Sequence, residues 1–240
     1  MAMSRARERA IAVVGAGLLA SVALIGEVAA AADSQQAFPR TLYLVRHGAY
    51  VPDRNADPQA GPGLTPLGVA QARLIAARLS GSGIAFDSMT SSTLQRARDT
   101  AAVMHETLTS VPLTQSPLLS ECTPPLPESA QGDAARERAD CAKQLDQAFA
   151  QFFTASKGAK RNDILVAHGN VIRYLVVRAL NVDPRSWFGM SVAHASLTEI
   201  VVQPDGSLKV LAVGDSGHIP RPLLSWGDAN DRQLVVPGGR

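Results

Sequence analysis

Short apolar runs alternate with longer helical patterns along most of this sequence. The run TLYLV, residues 41–45, precedes a helical pattern that starts near residue 64, and DILVA, residues 163–167, precedes another that starts near residue 170. A third run, FDSMTSS, lies between them and leads into the pattern TLQRARDTAAVMHETL. Strands that alternate with helices in this way are typical of an α/β domain with a mostly parallel sheet. We therefore predict a three-layer α/β/α fold.

Residues with known positional preferences mark the ends of two elements. Thr65 can cap the helix within residues 64–83, Pro66 suits its first position, and Gly81 or Gly83 suits its end. Near the C-terminus, SLTEIVVQPDGSLKVLAVGD holds two strand patterns around a Pro-Asp-Gly turn, which predicts a hairpin. This hairpin would add an antiparallel edge to the mostly parallel sheet.

The composition limits the class of protein. The chain has 240 residues, of which 46% are hydrophobic, so it can bury one sizeable core. Its formal net charge is only +2, whereas a protein that binds nucleic acid usually carries a strongly basic face. We therefore expect no nucleic-acid partner. The oligomeric state stays open.

The first 32 residues show the three-part pattern of a secretory signal peptide. Three arginines between residues 5 and 9 precede an apolar run, and Ala30 and Ala32 form a small-residue exit. We expect cleavage before Asp33, a secreted or periplasmic protein of bacterial type, and no stable membrane insertion. The alternative is an uncleaved anchor through residues 10–26. A helix of that length would span only about 25 Å of a bilayer core about 30 Å thick.

This interpretation divides the chain into four parts. Residues 1–32 would be the signal peptide, 33–40 a polar lead-in, 41–224 the globular domain, and 225–240 a surface tail. The two cysteines, Cys122 and Cys141, both lie beyond the leader. They can form a disulfide in an oxidising compartment; the alternative is two unrelated thiols.

Reactive side chains follow the ends of the predicted strands. Ligands of an open α/β sheet bind at the carboxyl ends of its strands. Four separate segments bring candidates to that edge: Arg46 and His47, Ser92 and Arg96, Glu121, and His168 with Gly169. Unrelated residues would not be expected to occupy the same kind of position four times. We therefore predict that they share one site.

These residue types suit the handling of a phosphoryl group. Two guanidinium groups can hold its oxygens in bidentate fashion, and the backbone N–H groups of Gly48 and Gly169 can add donors. One neutral imidazole can act as nucleophile, and a second, if protonated, can stabilise the group during transfer. A glutamate whose pKa is raised by burial can protonate the departing oxygen.

Five segments in this order resemble the histidine phosphatase superfamily, also called the phosphoglycerate-mutase-like superfamily. They are LVRHG, LTPLGVAQA, SSTLQRARDTA, LLSE and VAHGNVIRYLVVRAL, and they cover nearly all of residues 41–224. The segments HGNVIRYLVVRAL, SLTEIVVQPDGSL and VGDSGHIP are most similar to the mitochondrial serine/threonine-protein phosphatases of the phosphoglycerate-mutase family. The resemblance implies a phosphatase with the fold predicted above.

The resemblance also implies a role for each matched residue. His47 would be the phosphorylated nucleophile and Glu121 the proton donor, while Arg46, Arg96 and His168 would line the phosphate pocket. The candidate pocket-wall residues are Ser92, Asn170 and His194. The family uses no metal and no organic cofactor for hydrolysis, so we expect neither.

We therefore expect hydrolysis of phosphate monoesters through a phosphohistidine on His47. The substrate stays open between a small phosphate ester, an envelope phosphosugar and a protein that carries phosphoserine or phosphothreonine. A phosphoglycerate-type mutase and a catalytically silent protein that binds a phospho-ligand are further alternatives. Hydrolysis is favoured over transfer because the stretch from Glu121 to His168 is short, and because AYVPDR follows RHG where mutases usually have other residues.

Overall fold

The computed structural model describes residues 36–126, residue 128 and residues 131–227. The predicted signal peptide, the alternative anchor of residues 10–26, most of the lead-in and most of the predicted tail lie outside these residues. Within the described part of the chain, no helix has the length and apolar character needed to cross a membrane.

A six-stranded sheet forms the centre of the domain. Its strands are β2 (Arg40–Arg46), β3 (Ser88–Ser91), β4 (Leu113–Gln115), β6 (Arg161–Ala167), β7 (Leu197–Val202) and β8 (Leu208–Asp215). They lie in the order β4-β3-β6-β2-β7-β8. The first four are parallel, whereas β7 is antiparallel to both β2 and β8. Two short strands, β1 (Ala37–Phe38) and β5 (Ser156–Lys157), form a separate antiparallel pair. The predicted parallel sheet with an antiparallel hairpin is confirmed.

In the part of the chain that the structure describes, four helices flank the sheet: α1 (Pro66–Ser80), α2 (Gln95–His105), α3 (Gly132–Phe152) and α4 (Gly169–Ala179). Three short 3-10 helices cover Pro117–Leu119, Pro184–Gly189 and Arg221–Leu223. The start of α1 follows the predicted chemistry, because the Thr65 side chain accepts a hydrogen bond from the Gly68 N–H at 3.2 Å and Pro66 is the first helical residue.

Alternate residues of β2 face opposite layers, as the two-residue period of a strand requires. Leu42 and Leu44 are fully buried in a core shared with α3 and α4. Tyr43 and Val45 belong to a second core shared with α1 and α2. Helices therefore cover both faces of the sheet, and the predicted three-layer α/β/α fold is confirmed.

An ionic cluster joins three strands at the edge of the sheet opposite the carboxyl ends. The carboxylate of Asp163 on β6 is fully buried. It accepts hydrogen bonds from Arg40 of β2 at 2.6 Å, from Ser88 of β3 at 2.6 Å and from Arg161 at 2.8 Å. A buried charge needs such partners to offset the loss of water.

The structure adds one strand to those that the sequence predicts, and it corrects one boundary. Leu113–Gln115, in the stretch after α2, pairs with β3 as a fourth parallel strand. All three residues are exposed, so no apolar alternation reveals this strand. The predicted surface tail begins with Ser225, yet Ser225 is only 3% exposed and its carbonyl accepts a hydrogen bond from the His194 N–H. The chain therefore returns to the carboxyl-end edge after Arg221–Leu223.

Candidate active site

His47 directly follows β2 and is buried, with 1% of its surface exposed. Its Nδ1 lies 2.7 Å from the carbonyl oxygen of Gly48. A carbonyl oxygen can only accept, so Nδ1 must carry the proton of the neutral ring and Nε2 must carry a lone pair. The tautomer is therefore set by the backbone, which leaves the lone pair of the neutral ring on Nε2.

The Nε2 lone pair of His47 meets the guanidinium group of Arg96. The Nε–H of Arg96 donates to it at 3.2 Å, and the guanidinium lies over the Tyr50 ring, 4.7 Å from its centroid. Arg46 reaches the same edge of the sheet, where its Nη1 donates to the carbonyl oxygens of Val192 and Trp226, both at 2.7 Å. Both predicted arginines therefore reach the edge of the sheet at which His47 lies.

His168 follows β6 and precedes α4, and it is fully buried. Because Arg46 pairs with Ala167 across the parallel strands β2 and β6, the residues after them are neighbours. The ring centroids of His47 and His168 are 5.0 Å apart. The Nε2 of His168 lies 2.8 Å from the hydroxyl of Ser92, at the end of β3. Ser92 thus contacts a site histidine rather than the wall of the open cavity.

Both histidines are neutral at neutral pH. Burial, followed by the charges of His168 and Arg46, lowers the pKa of His47 well below 6.5. Burial and the charges of Arg96 and Arg46 likewise lower the pKa of His168 well below 6.5. The predicted protonation of His168 therefore needs an anion in the pocket, since a phosphate would oppose the effect of the two arginines.

The surroundings of Glu121 favour the protonated carboxylic acid over the carboxylate. Burial raises its pKa from 4.5 to about 7, against the opposing charges of Arg96 and Arg46. Its Oε1 is buried and has no hydrogen-bond partner among the described residues. An oxygen in this condition favours the protonated form, which can donate to an incoming group.

The two predicted glycine donors have different surroundings. The N–H of Gly48 donates to the Thr100 hydroxyl at 3.0 Å, so it is not directed at a ligand. Gly48 is needed for packing, because a Cβ there would lie 2.4 Å from the carbonyl oxygen of Gly68 in α1. The predicted phosphate contact of Gly48 is therefore wrong. Gly169 begins α4, and its N–H is one of the donors that a helix N-terminus leaves without an intrahelical partner.

A cavity of about 350 Å³ opens at this edge of the sheet. It is lined by predicted residues and by others that the sequence did not single out: Arg46, His47, Tyr50, Glu121, Gly169, Asn170, Arg173, Ser191, Val192 and Trp226. Arg173 lies one helical turn after Gly169 in α4, so the period of that helix could have pointed to it. No local pattern could have indicated Trp226, since it reaches the cavity only through the returning C-terminal segment.

The segment around Glu121 is attached to the domain at several points. Cys122 and Cys141 form a disulfide that joins this segment to α3. The amide of Gln144, also in α3, donates to the carbonyl of Ser120 at 2.8 Å. From α4, the amide of Asn170 donates to the carbonyl of Cys122 at 3.0 Å. The predicted cysteine pair is therefore linked, and Asn170 both lines the cavity and holds the glutamate segment.

His194 is buried near His47, and their ring centroids are 5.4 Å apart. It lies in the loop before β7, and its Nδ1 is 2.9 Å from the Ser225 hydroxyl. Within the described ranges, no cluster of three or more histidine, cysteine or acidic side chains is arranged to hold a metal ion.

The carboxyl-end edge of this α/β sheet holds histidines with lowered pKa values, two arginines and a glutamate with a raised pKa. These groups define a protein that can handle phosphoryl groups. The model of the histidine phosphatase superfamily, branch 1, matches residues 42–149 and 124–215. The chain belongs to this superfamily.

Two curated relatives and one solved structure show the extent of the similarity. The mitochondrial serine/threonine-protein phosphatase Pgam5 of Caenorhabditis elegans is 35% identical over 195 residues, 78% of this chain and 66% of that protein. Its counterpart in Drosophila ananassae is 33% identical over 217 residues, 85% of this chain and 74% of that protein. The phosphoglycerate mutase of Plasmodium falciparum has the same fold, with a TM-score of 0.53 and 22% identity over 74% of this chain and 91% of that chain. The predicted superfamily, fold and phosphatase class are confirmed.

The predicted secreted or periplasmic location is wrong by the same comparisons. Both curated relatives are named as mitochondrial proteins, which contradicts a signal peptide and a bacterial envelope location. The N-terminal pattern misled because basic and apolar residues also occur in other targeting segments, so the pattern does not specify a route.

Proposed function

We propose that the protein hydrolyses phosphate monoesters by transfer of the phosphoryl group to His47 and then to water. The observation that carries the proposal is the tautomer of His47. The Gly48 carbonyl holds the Nδ1 proton, so the lone pair is on Nε2, which lies beside the guanidinium group of Arg96. Arg46, Arg96 and His168 would hold the phosphoryl oxygens.

In the first step, the Nε–H of Arg96 turns from Nε2 of His47 to a phosphoryl oxygen. Nε2 then attacks phosphorus and the ester P–O bond breaks. The departing oxygen takes the proton of Glu121, whose pKa near 7 leaves a large protonated fraction at neutral pH. The products are a phosphohistidine, a Glu121 carboxylate and the free alcohol. Two arginines stabilise the charge that develops on the phosphoryl oxygens.

In the second step, water attacks phosphorus and the N–P bond breaks. The Glu121 carboxylate acts as the base of this step and takes a proton from the water, which returns it to the acid form needed for the first step. Inorganic phosphate leaves, and Nε2 of His47 regains its lone pair.

We propose a protein phosphoserine or phosphothreonine as the substrate class. The support is the names of the two curated relatives, which are serine/threonine-protein phosphatases. The cavity of about 350 Å³ suits a phosphoryl group and a short side chain, and leaves the rest of a larger substrate outside. A small phosphate ester meets the same requirement and is the second candidate.

The nucleophile is tested by trapping. Labelled substrate mixed with the wild-type protein and quenched within milliseconds should give an acid-labile, base-stable phosphoryl adduct on His47. His47→Ala should abolish both the adduct and phosphate release while the circular dichroism spectrum stays unchanged. His105→Ala is the matched control, since His105 lies at the end of α2, away from the cavity lining. An adduct on serine or on His168 would contradict the assignment.

The substrate class is tested with a panel of phosphopeptides and small esters at equal concentration. We expect kcat/KM to be highest for peptides that carry phosphoserine or phosphothreonine. Transfer between two phosphoglycerates without release of phosphate would identify a mutase instead. Phosphate binding with no turnover of any ester would identify a binding protein.

A further inference from the structure

The proposed mechanism gives no task to His194, although it is fully buried beside His47. Its Nε2 is buried and has no hydrogen-bond partner among the described residues. Buried polar atoms in proteins are nearly always hydrogen-bonded, so an atom without a partner at a ligand site indicates that the ligand supplies one. Whether Nε2 donates or accepts depends on the proton at Nδ1.

The proton at Nδ1 of His194 depends on its partner Ser225, and the orientation of the Gln71 amide determines the direction of the hydrogen bond between Gln71 and Ser225. Its Oε1 lies 2.8 Å from the Ala49 N–H, which can only donate. Its Nε2 lies 2.7 Å from the Leu223 carbonyl, which can only accept. The two amide atoms are therefore distinguished by their backbone partners. The same Nε2 is 3.0 Å from the Ser225 hydroxyl, so Gln71 donates a hydrogen bond to that oxygen.

The Ser225 hydroxyl in turn donates a hydrogen bond to His194. Since its oxygen accepts from Gln71, its hydrogen is available to a different neighbour. The acceptor that the described residues offer is Nδ1 of His194, at 2.9 Å. A neutral imidazole that accepts at Nδ1 carries its proton at Nε2. The chain from Gln71 through Ser225 thus makes His194 a donor, in contrast to His47.

We propose that His194 is a further catalytic residue whose neutral Nε2–H donates a hydrogen bond to an oxygen of the phosphoryl group bound at His47. Gln71 and Ser225 are positioning residues that fix its tautomer. The inference rests on the proposed function, because the ligand is the phosphoryl group of that reaction. A neutral donor suits a site that already holds two arginines, since it adds a hydrogen bond without adding a third positive charge.

The charge state of the ring agrees with this assignment. Burial, followed by the charges of Arg46 and Arg96, lowers the pKa of His194 to about 3, so the ring is neutral at neutral pH. The other titratable groups near this ring include Glu121, His47 and His168. Tyr50 also contacts the ring, and His218 contacts the loop that carries it.

The loop that carries His194 is held in place by further hydrogen bonds. Ala195 has a φ of +53°, a conformation that non-glycine residues adopt only when the surroundings enforce it. Its N–H donates to the carbonyl of Arg46 at 3.0 Å, and its carbonyl accepts from Nε2 of His218 at 3.0 Å. The loop is therefore anchored directly to the end of β2, which carries the nucleophile.

Three variants separate donation from packing. With p-nitrophenyl phosphate as substrate, His194→Leu should lower kcat by about a hundredfold, the usual cost of one lost donor to a transition state. His194→Gln keeps an N–H at a similar reach and should retain activity within about tenfold of wild type. Ser225→Ala should lie between them. Wild-type kcat in His194→Leu would overturn the proposal, as would equal losses in the Leu and Gln variants.

Nitrogen-15 NMR of histidine-labelled protein reads the tautomer without turnover. His194, assigned by its loss in His194→Gln, should show the Nε2–H tautomer and an Nε2 shift when orthovanadate is added. Ser225→Ala should reduce the tautomer preference while the other histidine signals stay. An Nδ1–H tautomer, or no change with orthovanadate, would refute the role. If the wild type hydrolyses no ester, the proposed function fails, and the orthovanadate titration still decides whether His194 contacts a phosphate-like anion.

Discussion

At the scale of single residues, the direction of a few hydrogen bonds decides the chemistry of the site. A backbone carbonyl forces the proton of His47 onto Nδ1, while a serine hydroxyl leaves the proton of His194 on Nε2. The centroids of the two rings are only 5.4 Å apart, yet Nε2 of His47 can accept a hydrogen bond or attack, whereas Nε2 of His194 can donate one. The sequence indicated that histidines gather here, but it could not distinguish these roles, because the tautomers depend on partners 1 and 31 positions away along the chain.

Glu121→Gln tests the acid at this scale. The amide keeps the shape of the side chain but cannot donate a carboxyl proton, so esters of poor leaving groups should lose about a hundredfold to ten-thousandfold in kcat. Hydrolysis of p-nitrophenyl phosphate should fall much less, because nitrophenolate leaves without a proton. Steady-state kinetics with serine phosphate and p-nitrophenyl phosphate makes the comparison. Equal losses for both esters would mean that Glu121 only binds.

The pH dependence follows from the same group. The first step needs Glu121 protonated, and its pKa is about 7, so kcat/KM for poor leaving groups should fall as pH rises above 7. His47 must be neutral, and its pKa lies well below 6.5, so no loss from its protonation is expected near pH 6.5. In Glu121→Gln the alkaline decline should disappear. If the decline persists in this variant, another group causes it.

At the scale of elements, the catalytic residues are held by the edges of the sheet and by one attached segment. The strand ends of β2 and β6, and the starts of α1 and α4, agree with the sequence patterns because their apolar periods and caps are local. The segment around Glu121 has no such period. Its position depends on contacts with α3 and α4. The Gln144 amide lies 24 positions from its partner Ser120, and the Asn170 amide lies 48 positions from its partner Cys122.

The disulfide is one of these contacts, and its removal should affect both stability and turnover. In the chain-entropy model, a link across a sequence separation of 19 stabilises the fold by roughly 3 kcal/mol. The double variant Cys122→Ser, Cys141→Ser should therefore melt at a lower temperature, by about 2–4 °C for each kcal/mol lost. Its kcat should also fall by a larger factor than its KM changes, because the Glu121 side chain is then held less firmly at the site. Thermal unfolding and p-nitrophenyl phosphate kinetics measure the two effects. Peptide mapping that finds two free thiols in unreduced protein would contradict the premise.

Asp163 joins three strands at the edge of the sheet opposite the active site, and its ion pairs should contribute to the free energy of unfolding. Burial alone would raise its pKa, but the hydrogen bonds from Arg161 and Ser88 lower it overall. A lowered pKa contributes stability above the unfolded pKa of about 3.9, and this stability is lost as the pH falls through the folded pKa. Asp163→Asn should thus cost roughly 3 kcal/mol at pH 7 and less near pH 3. Urea unfolding at both pH values tests this, and a difference that does not depend on pH would contradict it.

At the scale of the whole molecule, the site is completed by residues from the far end of the domain. The layers and the sheet could be predicted because alternation and helical period report burial residue by residue. The return of the C-terminal segment to the site could not be predicted, because glycine and proline indicate where the chain turns but not which part of the domain it then contacts. The carbonyl of Trp226 nevertheless accepts from Arg46, 180 positions earlier, and Ser225 contacts both His194 and Gln71.

Two truncated chains test whether this return is part of the active site. A chain that ends at Leu224 lacks the Trp226 carbonyl that holds Arg46 and the Ser225 hydroxyl that orients His194. A chain that ends at Gly227 keeps both contacts and is the matched control. We expect the shorter chain to fold, because the core of the sheet and the four helices does not include residues 225–227. Its kcat for p-nitrophenyl phosphate should be at least about tenfold lower than that of the control, in proportion to the loss of preorganised phosphoryl donors. Orthovanadate should also inhibit it more weakly, since that anion needs the same donors. Equal kcat and equal inhibition in the two chains would show that the C-terminal segment covers the site without contributing to it.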